Sequence, residues 1–224
     1  MLYSLYEQFG NSGFYPVPVS TVKDVIYYPH LRGFDPLQWF LHIHKDTVDF
    51  YSCVAGHYDW RMAQKLEDWQ VVTMLRNPVE QLRSLYQYLA REEKEDYETA
   101  KYLQVIGFEG WVQSEHIAPY LNGQTRYLSG HDIWNGQVAL ENLQSERVTF
   151  GLVERYSDTI QLFNDTFNWG LREFKRNVSH NVANISKGLR QDIERLQADD
   201  MRLYQYALDN FERQFNGNFR TAVN

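Results

Sequence analysis

Residues 69–90 read WQVVTMLRNPVEQLRSLYQYLA, and they decide the fold because they join a buried strand to an amphipathic helix. The apolar run at 71–75 is typical of a parallel strand that is covered on both faces. Asn77 can then cap a helix, and Pro78 suits the first helical position, where its missing N–H costs nothing. The apolar residues that follow recur at spacings of three and four and predict one buried helix face: Val79, Leu82, Tyr86 and Leu89.

Two polar residues in this stretch suggest an anion site. Arg76 stands at the carboxyl end of the predicted strand, and Ser84 falls on the helix face opposite the apolar one. Their placement leaves both side chains free to share a ligand. The alternative is an ordinary solvated serine together with an arginine that is paired with a carboxylate, and spacing alone leaves both interpretations open.

The pattern L-R-N-P-V-E-x-L-x-S-x-Y-x-Y-L resembles the 3'-phosphate-binding segment of the sulfotransferases. The similarity is to the carbohydrate-type branch, which includes the heparan sulfate 2-O-sulfotransferases and bacterial relatives. Four further stretches resemble segments of that family in the same order: VDFYSCVAGH at 48–57, NGQTRYLSG at 122–130, GLVERYSDTIQLFNDTFNW at 151–169 and DDMRLYQYALDNF at 199–211. The resemblance implies that Arg76 and Ser84 hold the 3'-phosphate of 3'-phosphoadenylyl sulfate, the sulfuryl donor.

One family segment is not found in this sequence. The family opens with a strand and a P-K-x-x-G-T-[ST] loop, whose N–H groups and Lys bind the 5'-phosphosulfate. Here residues 1–10, MLYSLYEQFG, resemble the tail of the helix that follows that loop. We expect a truncated amino end, with a degenerate family member as the alternative. Under either reading we expect this chain alone to be a poor enzyme.

The chain alternates strands with helices, which predicts an α/β fold: an open parallel sheet with helices on both faces. By resemblance it is a P-loop-type sulfotransferase fold without its first strand and loop, in one domain spanning 1–224. Strands are predicted at 23–28, 47–54, 70–75 and 147–152. Helices are predicted at 35–42, 78–94, 97–105, 110–120, 137–143, 158–167, 188–196 and 200–214, and an ordered loop or lid at 175–187.

His57 is the candidate catalytic residue. It follows Gly56 at the end of a predicted strand, and open α/β sheets bind ligands beyond the carboxyl ends of their strands. Sulfuryl transfer requires the acceptor hydroxyl to lose its proton, and imidazole titrates near neutral pH. In the resembling family a His after this strand is the base. Without the resemblance, a structural, hydrogen-bonded histidine is the more common role.

Five other residues are candidate ligand contacts. Asn122, Gln124 and Arg126 suit sugar hydroxyls and carboxylates on the acceptor side, although they may equally stabilise their own loop. By resemblance, Ser186 and Lys187 close over the nucleotide.

Two other polar pairs favour structural roles. His42 and His44 alternate along the chain, but without a third ligand nearby they do not predict a metal site, and no metal is expected. Glu154 and Arg155 are predicted to form structural pairs despite their place just after a strand.

Composition excludes several classes of protein. With 43% hydrophobic and 23% charged residues, the chain is globular rather than disordered. A net charge of −7 without basic runs argues against a nucleic-acid or membrane surface, and the single Cys53 rules out an intrachain disulfide. No apolar stretch approaches a membrane span, so we expect a bacterial-type cytoplasmic protein, with an anchor upstream of the truncation left open.

The sequence thus predicts a sulfotransferase that acts on a hydroxyl, expected on a carbohydrate. The alternative is a non-catalytic nucleotide- or glycan-binding remnant of the same fold. A third interpretation, another nucleotide-binding α/β protein, lacks a Gly-rich loop to support it. Acceptor identity and oligomeric state do not follow from the sequence.

Overall fold

The computed structural model describes residues 14–16, 53–55, 59–66, 68–91, 97–130, 134–173 and 185–215. Within them, helices predominate over short parallel strands, which is a coarse α/β architecture. No helix in these ranges is long and apolar enough to cross a bilayer. The predicted strand at 23–28 and helix at 35–42 lie outside the described residues, as does most of the predicted loop at 175–187.

The described strands form two parallel pairs. In the first pair, β1 (Phe14–Pro16) lies beside β2 (Cys53–Ala55). In the second, β3 (Val71–Leu75) lies beside β4 (Val148–Leu152), with the two strands in register from end to end. Parallel neighbours need a crossover connection, as the alternating pattern predicted. The predictions for β3 and β4 are confirmed to within one residue, and the prediction at 47–54 overlaps β2. The three-residue β1 is too short to leave a periodic signal and was not predicted.

The helices differ from the prediction mainly at their ends. After α1 (Trp60–Lys65) and β3 come α2 (Pro78–Leu89), α3 (Tyr97–Val112) and a 3-10 helix (Glu115–Tyr120), followed by α4 (Gly123–Ser129) and α5 (Gly136–Leu143). Beyond β4 lie a 3-10 helix (Val153–Arg155), α6 (Tyr156–Phe167), α7 (Lys187–Leu196) and α8 (Ala198–Phe215). Helices α5 to α8 agree with prediction to within two residues at each end.

Three helix predictions were wrong in part. Helix α2 ends at Leu89 rather than continuing to residue 94. The gap predicted between 105 and 110 is a kink at Gly107, where φ is 69°, and the segment to residue 120 is partly 3-10 rather than one α-helix. Helices α1 and α4 were not predicted. The Asn-Gly pair that opens α4 is a turn signal, and it outweighed the helical residues that follow.

The beginning of α2 is as predicted. The side chain of Asn77 accepts hydrogen bonds from the N–H groups of Val79 at 3.0 Å and Glu80 at 3.4 Å, and Pro78 occupies the first helical position. Val79 and Leu82 are fully buried. The strand-to-helix transition that follows β3 therefore has the local chemistry that the sequence indicates.

Two hydrophobic clusters hold these elements together. The first lies around β3 and β4 and takes side chains from α5, α6 and α8, while the second packs α2 against α3 and α7. Strand β4 is buried along its whole length. At Gly151 an added Cβ would lie 2.0 Å from the Thr159 methyl group, so α6 can approach β4 closely only because a glycine stands there. The Thr159 hydroxyl accepts from the N–H of Leu152 at 2.9 Å and donates to its carbonyl.

Candidate functional site

The candidate site lies where β3 and β4 end. Because the two strands are parallel and in register, their carboxyl ends meet at one edge of the sheet. Arg76 follows β3 directly, and Glu154 follows β4 within the Val153–Arg155 3-10 helix. This edge is where open α/β sheets bind ligands.

The backbone of Arg76 is held by a side chain from α4. The Arg76 N–H donates to Oε1 of Gln124 at 2.8 Å, and Nε2 of Gln124 donates to the Arg76 carbonyl at 3.0 Å. Gln124 is 8% exposed. One amide therefore satisfies both backbone groups of Arg76, much as a neighbouring strand would.

The next residue, Asn77, is held by a side chain that follows the neighbouring strand, β4. The Asn77 N–H donates to Oε1 of Glu154 at 2.9 Å, while the side chain of Asn77 caps α2. Three successive backbone groups, the N–H and carbonyl of Arg76 and the N–H of Asn77, thus have defined partners. These bonds fix the backbone from which the Arg76 side chain projects.

The Arg76 side chain is half-buried. Among the described residues, no carboxylate pairs with its guanidinium, and no hydrogen-bond partner is found for the half-buried Ser84 hydroxyl. Glu80, the acidic residue nearest to both in the sequence, pairs instead with Arg83 at 3.0 Å and Arg190 at 3.4 Å. Within this part of the chain, the alternative of a carboxylate-paired Arg76 is not observed.

Helix α7 lies beside α2. Leu189 and Ile193 pack in the cluster that contains the buried face of α2, and the Arg190–Glu80 contact joins the two helices. Ser186 caps α7 by accepting from the N–H of Leu189 at 3.1 Å, and Lys187 is exposed in the first turn. The structure therefore brings the start of α7 close to the turn of α2 that precedes Ser84. Whether Ser186 and Lys187 contact a nucleotide stays a prediction.

The other predicted acceptor contacts, Asn122 and Arg126, form hydrogen bonds within the chain. Asn122 has a left-handed backbone with φ 49°; its side chain donates to the Leu196 carbonyl at 3.2 Å and accepts from the N–H of Asp200 at 3.2 Å. The Arg126 guanidinium donates to the Pro119 carbonyl at 2.9 Å and lies 4.6 Å from the ring centre of Trp134. These contacts, like those of Gln124, support the structural alternative, and the acceptor-binding role stays a prediction.

Arg126 is partly removed from solvent. Burial lowers the pKa of the Arg126 guanidinium, and the negative charge of Asp200 opposes that effect. The side chain also stacks on Trp134, which is half exposed. Arg126 therefore occupies a partly desolvated position at the surface of α4.

Asp200, which sequence analysis did not single out, organises α4. Its carboxylate is fully buried and accepts from the N–H of Gln124 at 3.1 Å and of Thr125 at 2.6 Å, so it caps the amino end of α4 from α8. Burial raises the pKa of Asp200, and the hydrogen bonds from α4 act in the opposite direction. In the sequence, Asp200 looks like an ordinary acidic residue in a first helical turn, so no local signal distinguishes it.

The carboxylate of Glu154 also lies near a tyrosine of α8. Burial, followed by the charge of Glu154, raises the pKa of Tyr204 to about 12. Tyr204 is 6% exposed. The next residue along the chain, Arg155, pairs with Asp158 at 2.6 Å and with Glu212. The predicted structural pairs are thus confirmed for Arg155, whereas Glu154 bonds to the backbone of Asn77.

His57, the predicted base, lies outside the described residues, as do His42 and His44. No protein-family model matches this chain, and a search of curated proteins finds no match either. The resemblance in the sequence and the geometry around Arg76 are therefore the grounds for a functional proposal.

Proposed function

We propose that this protein is a sulfotransferase that moves a sulfuryl group from 3'-phosphoadenylyl sulfate to a hydroxyl of a carbohydrate. In this proposal, residues 1–224 form one domain of the P-loop-type sulfotransferase fold without its first strand and loop. One observation carries the proposal: the Arg76 guanidinium projects from a fixed strand–helix junction and has no carboxylate partner among the described residues.

The chemistry of Arg76 suits the 3'-phosphate. A guanidinium can form two parallel hydrogen bonds with a phosphate, and the Ser84 hydroxyl on the following helix can add a third. The first N–H groups of α2 are already bonded to the side chain of Asn77. Side chains rather than helix amides would therefore provide most of the contacts with this phosphate.

The proposed reaction is an in-line displacement at sulfur. The acceptor oxygen forms a bond to sulfur while the bond from sulfur to the bridging oxygen of the 5'-phosphate breaks. The leaving adenosine 3',5'-bisphosphate keeps that electron pair, and the acceptor proton passes to His57 as general base. Donors that stabilise charge on the transferring group and the leaving phosphate lower the barrier, and no metal is required.

Two measurements on the chain test the proposal. Calorimetry with adenosine 3',5'-bisphosphate and adenosine 5'-phosphate asks whether the 3'-phosphate is recognised, and we expect the bisphosphate to bind at least about tenfold more tightly. Equal affinities would contradict the proposal. Incubation with 35S-labelled 3'-phosphoadenylyl sulfate and desulfated heparin then asks whether label reaches a sugar. Transfer of label to a sugar would support the sulfotransferase, whereas preferential binding without transfer would leave this chain as a nucleotide-binding protein that does not transfer on its own.

A further inference from the structure

Helix α8 carries two buried polar side chains one turn apart, Asp200 and Tyr204. Residues four apart lie on the same helix face, so both side chains point from α8 in similar directions. Asp200 accepts two hydrogen bonds from the first turn of α4, and Tyr204 lies near enough to Glu154 for the carboxylate charge to raise the pKa of its hydroxyl. One face of α8 therefore holds α4 through hydrogen bonds and lies near Glu154, the residue that reaches the end of β3 from β4.

Side chains from these two elements bond to three successive backbone groups at the end of β3. From α4, Gln124 bonds to the N–H and carbonyl of Arg76, and from the end of β4, Glu154 bonds to the N–H of Asn77. We call Gln124, Glu154, Asp200 and Tyr204 the brace. Each of its contacts leads, directly or through one residue, to the backbone on either side of the Arg76 side chain.

Glutamine and aspartate are chemically suited to the contacts that they make in the brace. A glutamine amide has one acceptor and one donor group, which the N–H and carbonyl of Arg76 require together. A glutamate at this position could accept from the N–H but could not donate to the carbonyl, and its negative charge would compete with a phosphate for the guanidinium. Asp200 in turn holds the backbone N–H of Gln124, which fixes the point from which the amide extends.

We propose that the brace is a positioning device for anion binding, in which Gln124 sets the Arg76 guanidinium for the 3'-phosphate and Asp200 sets Gln124. This inference rests on the proposed function, since it assigns supporting residues to the same phosphate site. Gln124 is a positioning residue here and does not itself touch the nucleotide. Small displacements of an oriented charged group cause large losses of binding or rate, so the brace should affect affinity as well as folding.

The test compares two buried glutamines. Gln124→Met removes both bonds to Arg76. The matched control, Gln197→Met, removes a buried acceptor for the Asn122 N–H at the junction of α7 and α8. We expect both to lower the melting temperature. Only Gln124→Met should weaken adenosine 3',5'-bisphosphate binding, by roughly tenfold, with a change of less than about twofold for adenosine 5'-phosphate.

A double-mutant cycle separates positioning from general damage. In an Arg76→Ala background, Gln124→Met should change bisphosphate affinity by less than about twofold, because the group that it positions is gone. Gln124→Asn, which shortens the amide without adding a charge, repeats the test if Gln124→Met does not fold.

Several results would overturn the inference. Additive losses in the cycle would do so, as would an unchanged preference for the bisphosphate in both Gln124 variants; these outcomes leave the proposed function standing if the wild-type chain prefers the bisphosphate. A wild-type chain without that preference would remove both proposals together.

Discussion

The side-chain amide of Gln124 and the backbone of Arg76 exchange two hydrogen bonds, although the two residues are 48 positions apart in the chain. The bonds continue the pairing pattern of β3 beyond its last residue, at the point where the chain turns into α2. A buried backbone group without a partner costs about 1 to 3 kcal/mol, so this turn would be less stable without the amide. The arrangement links the stability of the turn to the direction of the Arg76 side chain.

The buried carboxylate of Asp200 should contribute strongly to folding. Asp200→Asn keeps one acceptor for the N–H groups of Gln124 and Thr125 but turns an NH2 group toward the other. We expect the free energy of unfolding to fall by about 1 to 3 kcal/mol in urea denaturation. Asp199→Asn, at the preceding position, is the control and should change it by less than about 0.5 kcal/mol. Equal effects of the two substitutions would argue against the capping role of Asp200.

Alkaline pH should destabilise the fold through Tyr204. Its pKa is raised from 10.0 to about 12 in the folded protein, so between those values the folded state binds more protons than the unfolded state. The corresponding stability is fully present below pH 10 and is lost as the pH rises toward 12, and it amounts to at most roughly 3 kcal/mol.

Chemical denaturation of Tyr204→Phe checks this expectation. The unfolding free energy of the variant should fall less steeply than that of the wild type between pH 10 and pH 12, because the titrating group is absent. Tyr206→Phe serves as the control, because Tyr206 is half-buried and lies two residues further along the same helix. If the Tyr204 variant and the wild type lose stability in parallel, the Tyr204 hydroxyl does not have a raised pKa in the folded protein.

Replacement of His57 tests its predicted role as base. In a chain that transfers sulfuryl groups, His57→Ala should lower turnover by about a hundredfold or more, because a positioned general base contributes on that order. Bisphosphate affinity and melting temperature should change little. A variant that unfolds readily, or one with nearly normal turnover, would return His57 to a structural role.

The parts of the fold that the sequence predicted have local signals. Asn77 and Pro78 are adjacent, and the cap that they form depends only on the next few residues. The apolar runs of β3 and β4 and the spacing of three and four in α6 and α8 are likewise properties of one segment. Even the kink at Gly107 falls in the predicted gap between two helices.

The supporting contacts of the candidate site could not be predicted in this way. Asp200 caps α4 from 75 and 76 positions away, and Glu154 reaches Asn77 across 77. Such pairs depend on how helices pack, which a single sequence does not record. Helix α4 itself was missed for the same reason: its Asn-Gly start indicates a turn, and the carboxylate that stabilises it as a helix comes from α8.

The central claim is that Arg76 binds the 3'-phosphate of the nucleotide, and calorimetry on Arg76→Ala tests it most directly. A charge-assisted bond to phosphate contributes about 1.5 to 3 kcal/mol, so affinity for adenosine 3',5'-bisphosphate should fall by roughly tenfold to a hundredfold. Adenosine 5'-phosphate should bind the variant and the wild type equally, and Arg195→Ala, which removes an exposed arginine at the far end of α7, should change neither affinity. Equal losses for both nucleotides in Arg76→Ala, or no loss for the bisphosphate, would contradict the claim.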